Sequence, residues 1–193
     1  MVLFFNKDCV FSQHNTSHPF TIDGLRYNCA EQYMMAEKAR LFNDDERLAK
    51  IMAETSPQKQ KKWGRQVTPF NKIQWDSVAF DVVVKGNLAK FSQNEDALRV
   101  LLATQGKELV EAAPRDLIWG IGLGVNNPRA MDKKNWRGQN KLGQALMKVR
   151  EELSSTEGGA CVSSPKTSKR EPSTPPGAPV KRSRQAECEK EDV

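Results

Sequence analysis

One stretch constrains this chain more than any other: Asn28 to Phe42, Asn-Cys-Ala-Glu-Gln-Tyr-Met-Met-Ala-Glu-Lys-Ala-Arg-Leu-Phe. It reads as a helix with a strong start signal. Asn28 is a good N-cap, and Glu31 falls three residues later, where a capping box wants an acid. On the helical wheel Met35, Lys38 and Phe42 lie within about 40° of Glu31, with Met34 flanking them. Tyr33, Ala36, Glu37 and Arg40 take the other side. A carboxylate and an amine therefore share an apolar stripe, where charge is expensive. They are about 10 Å apart along the axis, and Lys38 leans back toward Glu31. Such an inward charge pair across a cleft marks a candidate functional site. The same residues admit a structural reading, in which Glu31 only closes the capping box and Lys38 snorkels past Phe42 to water.

The flanking segments read as further helices with little strand. Asp23-Gly24 between short alternating runs predicts a tight turn in a small hairpin. Asp44-Asp45-Glu46 opens a second helix ending near Glu54, and Ser56-Pro57 opens a third, basic one carrying Lys59, Lys61, Lys62, Trp63 and Arg65. Val78, Val82, Leu88 and Phe91 form a helical stripe in Trp75 to Phe91, weakened by Gly86. Asn94 caps another helix to Leu102, and Leu109-Val110 suggests a short strand. Gly120-Ile121-Gly122-Leu123-Gly124 lacks the spacing of a dinucleotide fingerprint; its glycines either admit a ligand to the backbone or only turn the chain. A last helix opens around Trp136 to Gly143 and buries Leu142, Leu146, Val149 and Leu153.

Composition separates a domain, residues 1–153, from a tail, 154–193, that is rich in Ser, Pro and charge. The tail has almost nothing to bury and is expected to be disordered. Its cluster Lys181-Arg182-Ser183-Arg184 fits a nuclear import signal or a nucleic-acid contact. The net charge of +6 favours anionic partners. No apolar run approaches the length of a membrane span, and the N-terminus has no secretory pattern, so cytosol or nucleus is expected. Cys9, Cys29, Cys161 and Cys188 are too scattered for a zinc pattern. His14 and His18 match a metal pair only on a helix, which their surroundings do not suggest. Neither a metal nor a cofactor is expected.

Five segments together carry a resemblance. They are Ile22-Asp23-Gly24; Ala30-Glu31-Gln32-Tyr33-Met34-Met35 with Lys38-Ala39; Leu109-Val110-Glu111-Ala112 with Asp116; Trp119-Gly120-Ile121-Gly122; and Trp136-x-Gly138-x-Asn140-x-Leu142-Gly143. In order and spacing, over residues 3 to 152, the chain resembles the NADAR family of YbiA-like N-glycosidases. The resemblance implies a mainly α, single-domain orthogonal helical array with minor β elements. It also implies hydrolysis of an N-glycosidic bond at ribose. The implied substrates are phosphoribosylaminopyrimidine intermediates of riboflavin synthesis, or ADP-ribose attached to guanine in nucleic acid. The chain departs from the family pattern Phe-Ser-Asn-aromatic at Phe11-Ser12-Gln13-His14, a change expected to affect that loop without touching Glu31, Lys38 or Asp116.

Breaking the bond at ribose C1 builds oxocarbenium-like charge and needs an acid for the leaving nitrogen and a base for water. A covalent route instead uses a desolvated lysine at C1, forming a Schiff base with the opened ribose. The expected catalytic residues are Lys38, as nucleophile or electrostatic partner, Glu31 as proton shuttle, and Asp116 to orient ribose or activate water. Expected substrate contacts are Arg65 and Lys85 for phosphate, Trp75 or Trp119 for the base, and Glu111 and Asn140 within the matching motifs. Two rival readings use the same surfaces: a non-catalytic ADP-ribose or nucleotide reader, and a nucleic-acid-binding protein resting on the basic face and tail.

Overall fold

In the computed structural model, which describes residues 1–158, the expected central helix is the hub. This helix, α1 (Ala30–Leu41), is packed on three sides by α2 (Asp45–Ala53), α3 (Pro57–Gly64) and α4 (Lys72–Ser92). The face carrying Tyr33, Ala36 and Ala39 is fully buried. A helix covered on so many sides needs no polar face, so its sequence shows little amphipathicity. Gly86, which weakened the sequence signal for α4, has a packing role. A Cβ there would lie 2.6 Å from the Tyr33 ring, so only glycine lets α4 close on α1.

The helix starts follow local chemistry. The Asp44 side chain accepts from Arg47 N at 3.0 Å to cap α2, and Pro57 takes the first turn of α3 behind Ser56. Asn71 caps α4 by accepting from Gln74 N at 3.1 Å, four residues before Trp75. Asn94 stands at the N-cap of α5 (Glu95–Leu102), but its amide donates to the Pro19 and Lys90 carbonyls instead of capping.

Two small sheets complete the domain. The hairpin β2 (Phe20–Ile22) and β3 (Leu25–Tyr27) turns at Asp23 and Gly24, with φ of 51° and 77°. Positive φ at both positions is the type I′ geometry that Asp-Gly favours. The second sheet pairs β1 (Val2–Phe4) with β4 (Leu109–Glu111) in parallel, Phe4 opposite Glu111. Only β4 was legible as a strand, because β1 is three residues whose partner lies far along the chain.

The final helix, α6 (Lys141–Gly158), packs on α4 through Leu142, Leu146 and Val149. It runs one turn past the expected boundary at Ser154. Ser154 and Ser155 bond back to the Glu151 carbonyl, and the first helix-breaking residue is Gly158. Loss of core-forming residues does not by itself stop a helix. The domain is mostly helical with short strands, as the sequence implied. Of the tail expected to be disordered, residues 154–158 are helical, while residues 159–193, with the basic cluster, lie outside the described residues.

Candidate active site

The capping assignment shifts by one residue, and this decides what Glu31 does. The N-cap of α1 is Cys29, whose Sγ accepts from Gln32 N at 3.4 Å. Gln32 Oε1 in turn accepts from Asn28 N at 2.8 Å, while its amide donates to the Ile51 carbonyl at 3.0 Å. Gln32 therefore closes the helix start. Asn28 reaches away to the Thr55 carbonyl and to Gln60. Relieved of capping, the Glu31 side chain faces a cavity of about 690 Å³ between α1, α3, the loop before β2 and the loop after β4.

Seven of the nine residues singled out from sequence line this cavity: Glu31, Lys38, Asp116, Arg65, Trp75, Glu111 and Trp119. Glu31 is 4% exposed. Its Oε2 lies 3.5 Å from His14 Nε2, and among the described residues its Oε1 has no hydrogen-bond partner. Lys38 is half-buried and makes no ion pair among the described residues. Its Nζ sits 4.1 Å from the centre of the Phe70 ring and 6.0 Å from that of Trp75. Burial, and then the positive Arg65, hold its pKa below the ordinary lysine value. Glu31 and Lys38 thus share a cavity without pairing with each other.

The second wall comes from β4 and the loop after it. Asn140, at φ 53°, accepts from Glu111 N through Oδ1 at 3.0 Å and donates to the Leu109 carbonyl through Nδ2 at 2.9 Å. It sets the position of Glu111 and does not line the cavity, contrary to its expected role as a substrate contact. Glu111 Oε2 is buried with no partner among the described residues, and burial, then the negative Asp116, push its carboxyl up to about 8. Asp116 Oδ1 accepts from Ile118 N and Trp119 N at 3.0 and 2.8 Å, which fixes the turn that brings Trp119 to the cavity.

Lys85 is not brought to the site. It is 58% exposed and pairs with Asp23 of the hairpin turn at 3.4 Å, because α4 presents that side to the β2–β3 turn. The glycine run turns the chain and packs backbone on backbone. A Cβ on Gly138 would fall 2.3 Å from the Gly120 carbonyl, and Gly122 has φ 69°. Trp63 stacks under Lys50 and Arg47 instead of entering the cavity.

Sequence reasoning passed over His14, Gln13, Lys61, Arg115 and Lys7, which also line the cavity. Lys61 belonged to a basic segment already visible, and Arg115 lies between two flagged acids. His14 was legible only as the point of departure from the family pattern. That departure was expected not to touch Glu31, yet the His14 ring meets it directly.

A helical domain enclosing an acid-walled cavity rimmed by lysine and arginine is suited to a small anionic ligand. The NADAR domain profile matches residues 3–154, and this chain belongs to that family. It is 42% identical over 168 residues to Protein irg-1 of Caenorhabditis elegans, covering 79% of each chain. It is 49% identical over 126 residues to N-glycosidase R617 of Acanthamoeba polyphaga mimivirus, covering 65% of this chain and 74% of the relative. N-glycosidase YbiA of Escherichia coli is 32% identical over 135 residues, 70% of this chain and 76% of that one. The NMR structure of the E. coli protein YbiA superposes with a TM-score of 0.67 at 30% identity, over 81% of this chain and 86% of that chain.

Proposed function

We propose that this chain is an N-glycosidase that hydrolyses the bond between a base nitrogen and C1 of a phosphate-bearing ribose. The observation that carries the reading is one cavity holding two buried carboxyl oxygens, Glu31 Oε1 and Glu111 Oε2, that have no partner among the described residues, beside the half-buried amine of Lys38, which makes no ion pair among them. Buried polar atoms left unsatisfied cost free energy unless a ligand completes them. Relatives named N-glycosidase support the same chemistry.

The roles follow from protonation. A carboxyl held up to about 8 is largely protonated at neutral pH, so Glu111 can donate its proton to the leaving nitrogen as the C1–N bond breaks. Glu31, on the opposite wall, receives a proton. In direct hydrolysis that proton comes from the water attacking C1. In the covalent route neutral Lys38 attacks C1 as the base departs with the Glu111 proton; Glu31 takes the amine proton and passes it to the ring oxygen as the C1–O bond opens to a protonated imine, and water then frees the ribose and restores the lysine. Either way one water is consumed, and the products are the base with its nitrogen protonated and the phosphate-bearing ribose. Arg65, Lys61 and Arg115 supply charge for the phosphate, while Trp75 and Trp119 supply flat faces for the base.

Two substrate classes fit: phosphoribosylaminopyrimidines and ADP-ribose on guanine in nucleic acid. Ribose release from one substrate of each class, with wild type and Lys38→Ala in parallel, tests the reading. Turnover of one class that is lost in the variant supports the site and names the substrate. Binding of either without ribose release replaces the enzyme with a nucleotide reader.

A further inference from the structure

His14 has no part in the reaction above, yet its ring reaches the reacting carboxylate. Its side chain is 25% exposed and lines the same cavity, with Nε2 facing Glu31 Oε2 at 3.5 Å. A carboxylate as enclosed as Glu31 needs a partner. Among the described residues His14 is the one basic side chain at ion-pair distance, since Lys38 lies over Phe70 instead.

The segment bearing His14 is clamped from several directions. Lys90, fully buried on α4, donates through Nζ to the Val10 carbonyl at 2.6 Å and the Ser12 carbonyl at 3.2 Å. Gln13 Oε1 accepts from Asn87 Nδ2 at 3.0 Å, and the Gln13 carbonyl accepts from Glu31 N itself at 2.9 Å. Ser12 Oγ accepts from His14 N at 3.2 Å. The loop and the first turn of α1 are therefore locked together, so the ring and the carboxylate hold a common frame.

The two carboxylate oxygens differ in consequence: Oε2 faces the imidazole and Oε1 faces no partner. We infer that His14 is the positioning residue of Glu31, holding it by Oε2 so that Oε1 is the oxygen presented to the reacting sugar or water. The inference rests on the glycosidase reading. An outer partner that fixes a reactive group's orientation is commonly worth 10 to 100-fold, felt in turnover more than in binding.

The test compares His14→Phe, which keeps a flat ring without a polar edge, with His14→Gln, whose amide nitrogen reaches the Nε2 position. In ribose release, His14→Phe is expected to lower kcat by about 10 to 100-fold with KM within about threefold. His14→Gln is expected to recover most of that loss. Independently of turnover, ring 15N signals of His14 should move when Glu31 becomes Gln. Those of His18, bonded instead to Asn15 and Asp96, should not. Full kcat in His14→Phe overturns the inference, as does a folded His14→Gln that is no better than His14→Phe. So do His14 ring signals that ignore Glu31→Gln. If wild type releases no ribose from either substrate, the glycosidase reading fails, and the ring signals alone decide whether His14 holds Glu31.

Discussion

Replacing Glu111 by Gln removes a titration while keeping the side chain's shape, and the structure sets the size of the effect. The carboxyl, ordinarily at 4.5, is pushed to about 8 by burial and by Asp116. Between those values the folded chain keeps a proton that the unfolded chain has lost. The folded state then binds more protons, so stability must fall as pH rises, by up to about 1.4 kcal/mol per pH unit. From pH 5.5 to 7.5 the loss assigned to this one group is roughly 2–3 kcal/mol. Glu111→Gln abolishes it, because the amide does not titrate. Urea unfolding of both proteins at the two pH values reads the difference directly, since every other group not coupled to Glu111 cancels. The variant should gain about 2–3 kcal/mol on wild type over that interval. Turnover at low substrate should move in parallel: wild-type kcat/KM falls as pH rises through about 8, where the acid of the free enzyme ionises, and the variant loses that limb along with most of its activity. A stability difference that stays level from pH 5.5 to 7.5 would refute the argument, because Glu111 would then titrate like a carboxyl in water.

Four further variants have expected outcomes. Lys38→Ala should abolish ribose release, and borohydride added to wild type during turnover should attach the sugar irreversibly to Lys38 if the covalent route operates, as intact and peptide masses will show. Arg65→Ala should raise KM for a phosphorylated ribose about tenfold. Lys85→Ala should leave KM within about twofold, since its exposed pair with Asp23 lies away from the cavity and is worth under about 1 kcal/mol. Gly143→Ala should cost about 1–3 kcal/mol in thermal or urea unfolding. Its Cβ would fall 2.1 Å from the Leu109 carbonyl and 2.6 Å from Asn140 Nδ2, disturbing the clamp that seats Glu111.

Much of the site was legible because helical periodicity converts spacing into direction. Glu31 and Lys38 had to share a face once the helix was granted, and both do line the cavity. Periodicity could not say which residue caps the helix. Asn28 is the better capping type, but its side chain is drawn to the Thr55 carbonyl and Gln60, so Cys29 and Gln32 do the capping. That exchange turns Glu31 from a structural acid into a cavity acid. Asn140 and Lys85 stand outside the cavity lining for a related reason: each found a partner on another element, Asn140 along β4 and Lys85 at Asp23.

The sequence by itself determined the helical order, the hairpin turn at Asp23-Gly24, the helix carrying Glu31 and Lys38, and the family. These depend on neighbours a few residues apart, whose geometry the backbone imposes. Only the tertiary structure decided which charges meet. It joined β1 to β4, seated Glu111 through Asn140, set His14 against Glu31 and placed Lys38 over Phe70 instead of against Glu31. Such contacts bring together groups distant in sequence, and burial then shifts their protonation. Neither effect leaves a mark on the local pattern of residues.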